Sequence, residues 1–166
     1  MCGLTGLLRS TPSGDIIDQV TKMTTQLAHR GPDDERVWAE NNIGLGHRRL
    51  AILDLSNLGH QPMISKDQKV VIVFNGEIYN FIELRSDLEK EGYIFQGDSD
   101  TEVLLQLYLC YGKEMLPKLN GIFAFAILDV SAEILFVARD ALGVKPLYFS
   151  SEDGVFSFSS EIKALL

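Results

Sequence analysis

Cys2 is the residue whose type and position say most about chemistry. Removal of Met1, common when the second residue is small, makes it the N-terminal residue and gives it a thiol and a free amine. An α-amino group titrates at about 7.7–8.0 and a thiol at about 8.5, so the neutral amine can serve as the base that activates the nucleophile, without a separate His. Position alone also fits an ordinary small residue. The context favours chemistry: in Cys2-Gly3-Leu4-Thr5-Gly6 the glycines admit close approach, and Leu4 opens a strand that would hold the thiol on a rigid element. While Met1 remains, its peptide bond ties up that amine, and the chain beginning at Met1 reads as the unprocessed form.

Asn75-Gly76-Glu77-Ile78-Tyr79-Asn80 is the second candidate, placed where the strand Lys69 to Phe74 is expected to end. An Asn amide and a neighbouring Gly N–H can together donate to a developing oxyanion, and Glu77 can accept from a ligand ammonium. The same residues also read as a plain Asn-Gly turn. In His47-Arg48-Arg49-Leu50 alternate side chains of a strand face opposite ways, so one Arg can enter a site and the other is expected to be solvated. A guanidinium fork suits a carboxylate. Asp100 falls in the first turn of an expected helix, where interaction with the helix dipole suffices to explain it. Cys110 lies among apolar residues and reads as core, as do Phe123 and Phe125, and His29, His47 and His60 are not spaced for a metal.

The elements that must position these groups follow from periodicity and turn chemistry. Leu4 to Leu8 reads as a buried strand. Thr11-Pro12-Ser13-Gly14 turns the chain into a helix with Ile16, Val20, Met23 and Leu27 on one face, stopped at Gly31-Pro32. Val37 to Glu40 and Ile43 to Ile52 flank Asn41-Asn42 as a hairpin. Asn80 is a candidate cap for a helix through Glu91, and Ser99-Asp100-Thr101-Glu102 forms a capping box before the helix Val103 to Tyr111. Ile122 to Val130, Ile134 to Arg139, Leu147 to Ser151 and Val155 to Phe158 follow as a strand meander. Helices grouped between strands predict an α+β fold. Ser160 to Leu166 starts like a helix and stops without a cap, as an excised domain would.

Composition narrows the class. The chain has 166 residues with 15 Lys plus Arg against 23 Asp plus Glu, a net charge of -8. One domain of this length buries about 68–70% of its unfolded surface and needs no disulfide staple. Scattered cations on an acidic chain argue against nucleic acid and anionic lipid as partners. Two cysteines without a CxxC pair, no signal peptide and no apolar run near ~20 residues point to a cytoplasmic chain that does not enter a membrane. No phosphate-binding glycine loop is present.

Taken in order, Cys2-Gly3, His29-Arg30-Gly31-Pro32-Asp33, His47 to Ile52, Asn75 to Asn80, Gly97-Asp98-Ser99-Asp100, Ala138-Arg139-Asp140 through Leu147-Tyr148, and Ser160 to Leu165 resemble the glutaminase domain of asparagine synthetases. That is a class II glutamine amidotransferase domain of the N-terminal-nucleophile hydrolase type. The resemblance implies a four-layer αββα sandwich of two antiparallel sheets over residues 1–166, with L-glutamine as substrate. It implies that Cys2 attacks the side-chain amide and passes through a γ-glutamyl thioester, with Asn75 and the Gly76 N–H as oxyanion hole. Arg49 and Leu50 would hold the α-carboxylate end and Glu77 and Asp100 the α-ammonium. No metal or cofactor is expected in this domain. ATP and Mg would belong to a covalently linked C-terminal synthetase domain, whose Ser-Gly-Gly-x-Asp loop does not occur in these residues. A homodimer is compatible with the resemblance. Two alternatives stay open: the same glutaminase chemistry feeding a sugar or surface-polysaccharide acceptor, and a silent binding module.

Overall fold

The computed structural model describes residues 1–12, 14–51 and 59–166. Ser13 of the expected turn and Ile52 at the end of the expected strand lie outside the described residues. Strands β1 (Gly3–Arg9), β2 (Asp34–Glu40), β3 (Ile43–Arg49), β8 (Tyr148–Glu152) and β9 (Val155–Ser159) form one antiparallel sheet in the order β2-β3-β1-β9-β8. Strands β4 (Met63–Ile64), β5 (Val70–Ile78), β6 (Gly121–Asp129) and β7 (Ile134–Arg139) form the second, in chain order. Helix α1 is Ile16–Thr25, α2 Phe81–Lys90 and α3 Asp100–Tyr111.

Three apolar clusters define the layers. Leu4, Leu45 and Phe158 of the first sheet meet Val71, Val73, Ala124 and Ala126 of the second, which makes the sheets face each other. Ile72, Phe74, Phe125 and Ile127 pack outward against Val103, Leu104, Leu107 and Tyr108 of α3 and Leu88 of α2. Leu7 packs against Ile16 and Val20 of α1 on the outside of the first sheet. The result is the αββα sandwich that the resemblance implies. Strands β5 and β6 are apolar on both faces because both faces are covered, and β1 and β3 are buried nearly throughout for the same reason. Helix α1 lies close on β3 because Gly44 and Gly46 carry no side chain; a Cβ on Gly44 would sit 2.7 Å from a Val20 methyl, and one on Gly46 would strike the Thr24 hydroxyl.

Several boundaries differ from the sequence expectation. Helix α1 ends at Thr25, and buried Leu27 belongs to the turn that follows it. Strand β5 does not stop before Asn75-Gly76 but runs to Ile78, because β6 pairs Asn75 with Ala124 and Gly76 with Phe123. Asn80 caps nothing with its side chain; its amide instead donates to Lys118 O at 2.9 Å and accepts from Asn120 N at 3.0 Å. Only half of the capping box forms: Ser99 Oγ accepts from Glu102 N at 3.2 Å, while the Glu102 carboxylate turns to the N–H groups of Gln96 and Gly97. The four late strands are two hairpin arms on different sheets rather than one meander. The last residues form a short 3-10 turn, Ile162–Ala164.

Candidate active site

The start of β1 is tied down from several sides. Leu4 N donates to Ser160 Oγ at 3.0 Å, and Ser160 N returns a bond to Leu4 O at 2.9 Å. Arg30 Nε donates to the Cys2 carbonyl at 2.9 Å, and Arg30 Nη1 meets Glu161 Oε1 at 3.1 Å. The half-buried Cys2 thiol lies against Leu50, accepting from its N–H at 3.4 Å and facing its carbonyl at 3.7 Å. Chain termini ordinarily fray. Here the thiol is held on a strand fixed to β3, β9 and the turn after α1.

Strand β5 supplies the facing wall, and its open edge matters most. Short β4 pairs only with Ile72 and Val71, so beyond it side chains take the place of a strand. Gln61 Oε1 accepts from Phe74 N at 2.6 Å, His47 Nε2 donates to Phe74 O at 3.0 Å, and Asp100 Oδ2 accepts from Ile78 N at 3.1 Å. Backbone N–H groups two residues apart on a strand point to the same side. The Gly76 N–H therefore points to this edge too, between Gln61 and Asp100. Asn75 is 2% exposed, and its Nδ2 has no hydrogen-bond partner among the described residues. A buried amide left unsatisfied is costly unless a ligand completes it. Gly76 can bear no side chain here, because a Cβ would strike the Ile122 carbonyl of β6.

One cleft gathers Cys2, Arg49, Leu50, Asn75, Gly76, Glu77 and Asp100, every residue singled out from the sequence, with Met1 at its rim. Arg49 is buried and lines it; Arg48 faces away and, instead of being solvated, pairs with Glu35 Oε2 at 2.7 Å. Glu77 is exposed at the mouth. Burial raises the Asp100 carboxyl to about 6; the N–H groups of Ile78 and Thr101 pull against this and the charge of Glu77 adds to it. Burial lowers His47 to about 4, so its ring is neutral and Nε2 carries the proton given to Phe74 O.

Ser99 and Thr101, read from the sequence only as part of a capping box, also line the cleft, as do Gln61 and Lys145, which the sequence reading passed over. Gln61 and Lys145 each sit at a bend between strands, and no local pattern separates them from surface residues. Cys110 is half-buried against the α3 core, with its thiol 3.3 Å from Glu91 Oε2, apart from the cleft. His29 meets Glu161 and His60 meets Asp34. No group of three potential metal ligands occurs among the described residues, and no helix among them is long and apolar enough to cross a membrane.

Comparison with known proteins adds three findings. A family described as a glutamine amidotransferase domain matches residues 1–166. Glutamine-hydrolyzing asparagine synthetase 1 of Bacillus subtilis is 44% identical over 169 residues, covering 100% of this chain and 27% of its own length. Putative glutamine-hydrolyzing asparagine synthetase 2 of Methanocaldococcus jannaschii is 42% identical over 184 residues, covering 100% of this chain and 35% of its own. The chain thus spans about a quarter to a third of the length of these relatives. A solved glutamine phosphoribosylpyrophosphate amidotransferase from Bacillus subtilis, complexed with ADP and GMP, superposes with a TM-score of 0.83 at 24% identity, over 99% of this chain and 43% of that one. That likeness bears on the fold.

Proposed function

The chain belongs to the glutamine amidotransferase domain family, and on that premise we propose that it hydrolyses the side-chain amide of L-glutamine through a covalent Cys2 intermediate. With Met1 removed, the Cys2 amine takes the thiol proton as Sγ attacks the amide carbon. The carbonyl oxygen becomes an anion held by Asn75 Nδ2 and the Gly76 N–H. The amine returns its proton to the leaving nitrogen, ammonia departs, and a γ-glutamyl thioester remains. Water activated by the same amine then releases glutamate and restores the thiol. Arg49 takes the substrate α-carboxylate beside the Leu50 backbone, and Glu77 with Asp100 takes the α-ammonium, so the zwitterion meets both signs of charge. Every step uses the chain's own groups and water, without metal or cofactor.

The observation that carries this reading is Asn75 Nδ2, without a partner among the described residues, next to the Gly76 N–H in the cleft that Cys2 lines. Relatives named asparagine synthetases extend far beyond the matched region. They support residues 1–166 as the glutaminase domain of a longer protein, whose ATP- and Mg-dependent C-terminal domain would use the ammonia to make asparagine. The test is glutamate release from glutamine by the chain lacking Met1, compared with an equally folded Cys2→Ala chain. Turnover that vanishes with the thiol is expected; equal turnover in both would refute the nucleophile.

A further inference from the structure

Lys145 belongs to the segment between β7 and β8 and is 8% exposed. It lines the cleft alongside Cys2 and Asn75. Among the described residues no carboxylate comes within ion-pair distance of its ammonium. Its ammonium is not among the buried side-chain nitrogens that lack a partner, so in a residue otherwise covered the charged end opens to solvent in the cleft. The backbone places it deliberately: Asp140 Oδ2 accepts both from Lys145 N at 3.0 Å and from Phe123 N at 3.2 Å, and Phe123 is the register partner of Gly76. Lys145 is therefore anchored beside the strand pair that carries the Gly76 N–H, rather than to the Arg49 strand.

We propose that Lys145 supplies the positive charge for the anion formed at the side-chain end of the substrate, so that the cleft is built to hold an anionic γ-group as well as a neutral amide. This rests on the glutaminase reading and deepens it. The amide of glutamine brings no charge to that end, but the oxyanion of the tetrahedral intermediate and the γ-carboxylate of glutamate both do. Asn75 and Gly76 offer only neutral dipoles; an ammonium lining the cleft adds a charge-assisted contact that strengthens when the ligand turns anionic. Lys145 then discriminates between the charge states of one group, not between substrates at the α-carbon.

The test compares L-glutamine and L-glutamate binding by calorimetry in the Cys2→Ala chain lacking Met1, where no turnover intervenes. Adding Lys145→Met is expected to weaken glutamate at least fivefold while changing glutamine less than twofold, and Lys145→Arg is expected to restore most of the glutamate affinity. With Cys2 intact, Lys145→Met should lower kcat about tenfold or more at nearly unchanged KM. Equal changes for both ligands, or none for either, would overturn the proposal. If Lys145→Met does not fold, Lys145→Gln is read by the same two affinities. Failure of the unsubstituted site to bind glutamine would sink the glutaminase reading and this proposal together, whereas glutamine binding without the selective glutamate effect would sink this proposal alone.

Discussion

Asn75 Nδ2 has no hydrogen-bond partner among the described residues, and this makes a clean prediction. That nitrogen is buried, so Asn75→Ala removes no hydrogen bond from it to any described residue. Losing one oxyanion donor typically lowers kcat by about 10²–10³, or ~2.7–4 kcal/mol. Asn75→Ala is therefore expected to abolish most glutamine turnover while circular dichroism and thermal midpoint stay close to the parent; unchanged turnover would remove Asn75 from the site. Asp100 behaves differently, because it is held near its titration point. Burial raises it from 3.8 to about 6, and only its ionised form attracts an ammonium. KM for glutamine should rise as pH falls below about 6, and Asp100→Asn should raise KM and flatten that dependence. The stability effect has the opposite sense. A raised carboxyl pKa means that the fold prefers the protonated form; this contribution is full below 3.8 and lost as pH rises through about 6. Asp100→Asn should thus gain thermal stability above pH 6 and little at pH 4, and a loss at both would show that the carboxylate is needed structurally.

At the scale of elements, β5 explains both what the sequence disclosed and what it hid. The residues Asn75, Gly76 and Glu77 were legible as a candidate site, beside a plain turn, because an amide, a glycine and a carboxylate in a row suit an oxyanion and an ammonium. Their element was not, since Asn-Gly is a turn signal and only β6, more than forty residues on, holds them in a strand. Likewise, alternation showed that Arg48 and Arg49 diverge but not which one enters the cleft; that depends on which face of β3 meets the second sheet. His47 sits at that meeting, joining β3 to the Phe74 carbonyl of β5 across the sandwich. Its pKa is lowered from 6.5 to about 4, mainly by burial, so the neutral ring is part of the fold. Its contribution is present above pH 6.5 and lost as pH falls through about 4, because the unfolded chain takes up a proton that the folded chain refuses. The urea midpoint should drop with acidification over this window, and His47→Gln should blunt the drop. A parallel drop in that variant would assign acid sensitivity to another group.

For the whole molecule, the sequence announced most strands and their α+β grouping but not their distribution between sheets. A strand's residues record that it is covered, not by what, so β6 to β9 read as one meander although the chain crosses from the second sheet to the first after β7. Asp140 fixes that crossing. Its carboxylate accepts from Phe123 N in β6 at 3.2 Å and from Val144 N and Lys145 N in the crossing segment at 2.9 and 3.0 Å. Burial opposes the charge, yet these N–H groups outweigh it and hold the carboxyl below its usual range. One side chain thus joins the second sheet, the crossing and the cleft wall, and its loss should be felt globally. Asp140→Ala leaves three backbone donors without their acceptor, at about 1–3 kcal/mol for each that stays buried and unsatisfied. The urea midpoint is expected to fall by several kcal/mol of stability at pH 7, with glutamine turnover reduced in the molecules that remain folded, because Lys145 and the Gly76 strand lose their common anchor. Asp140→Asn keeps one acceptor oxygen and should fall between the two. A parent-like midpoint in Asp140→Ala would mean that water satisfies those donors and that the two sheets are held in place by the Val, Ala and Phe contacts of the shared core alone.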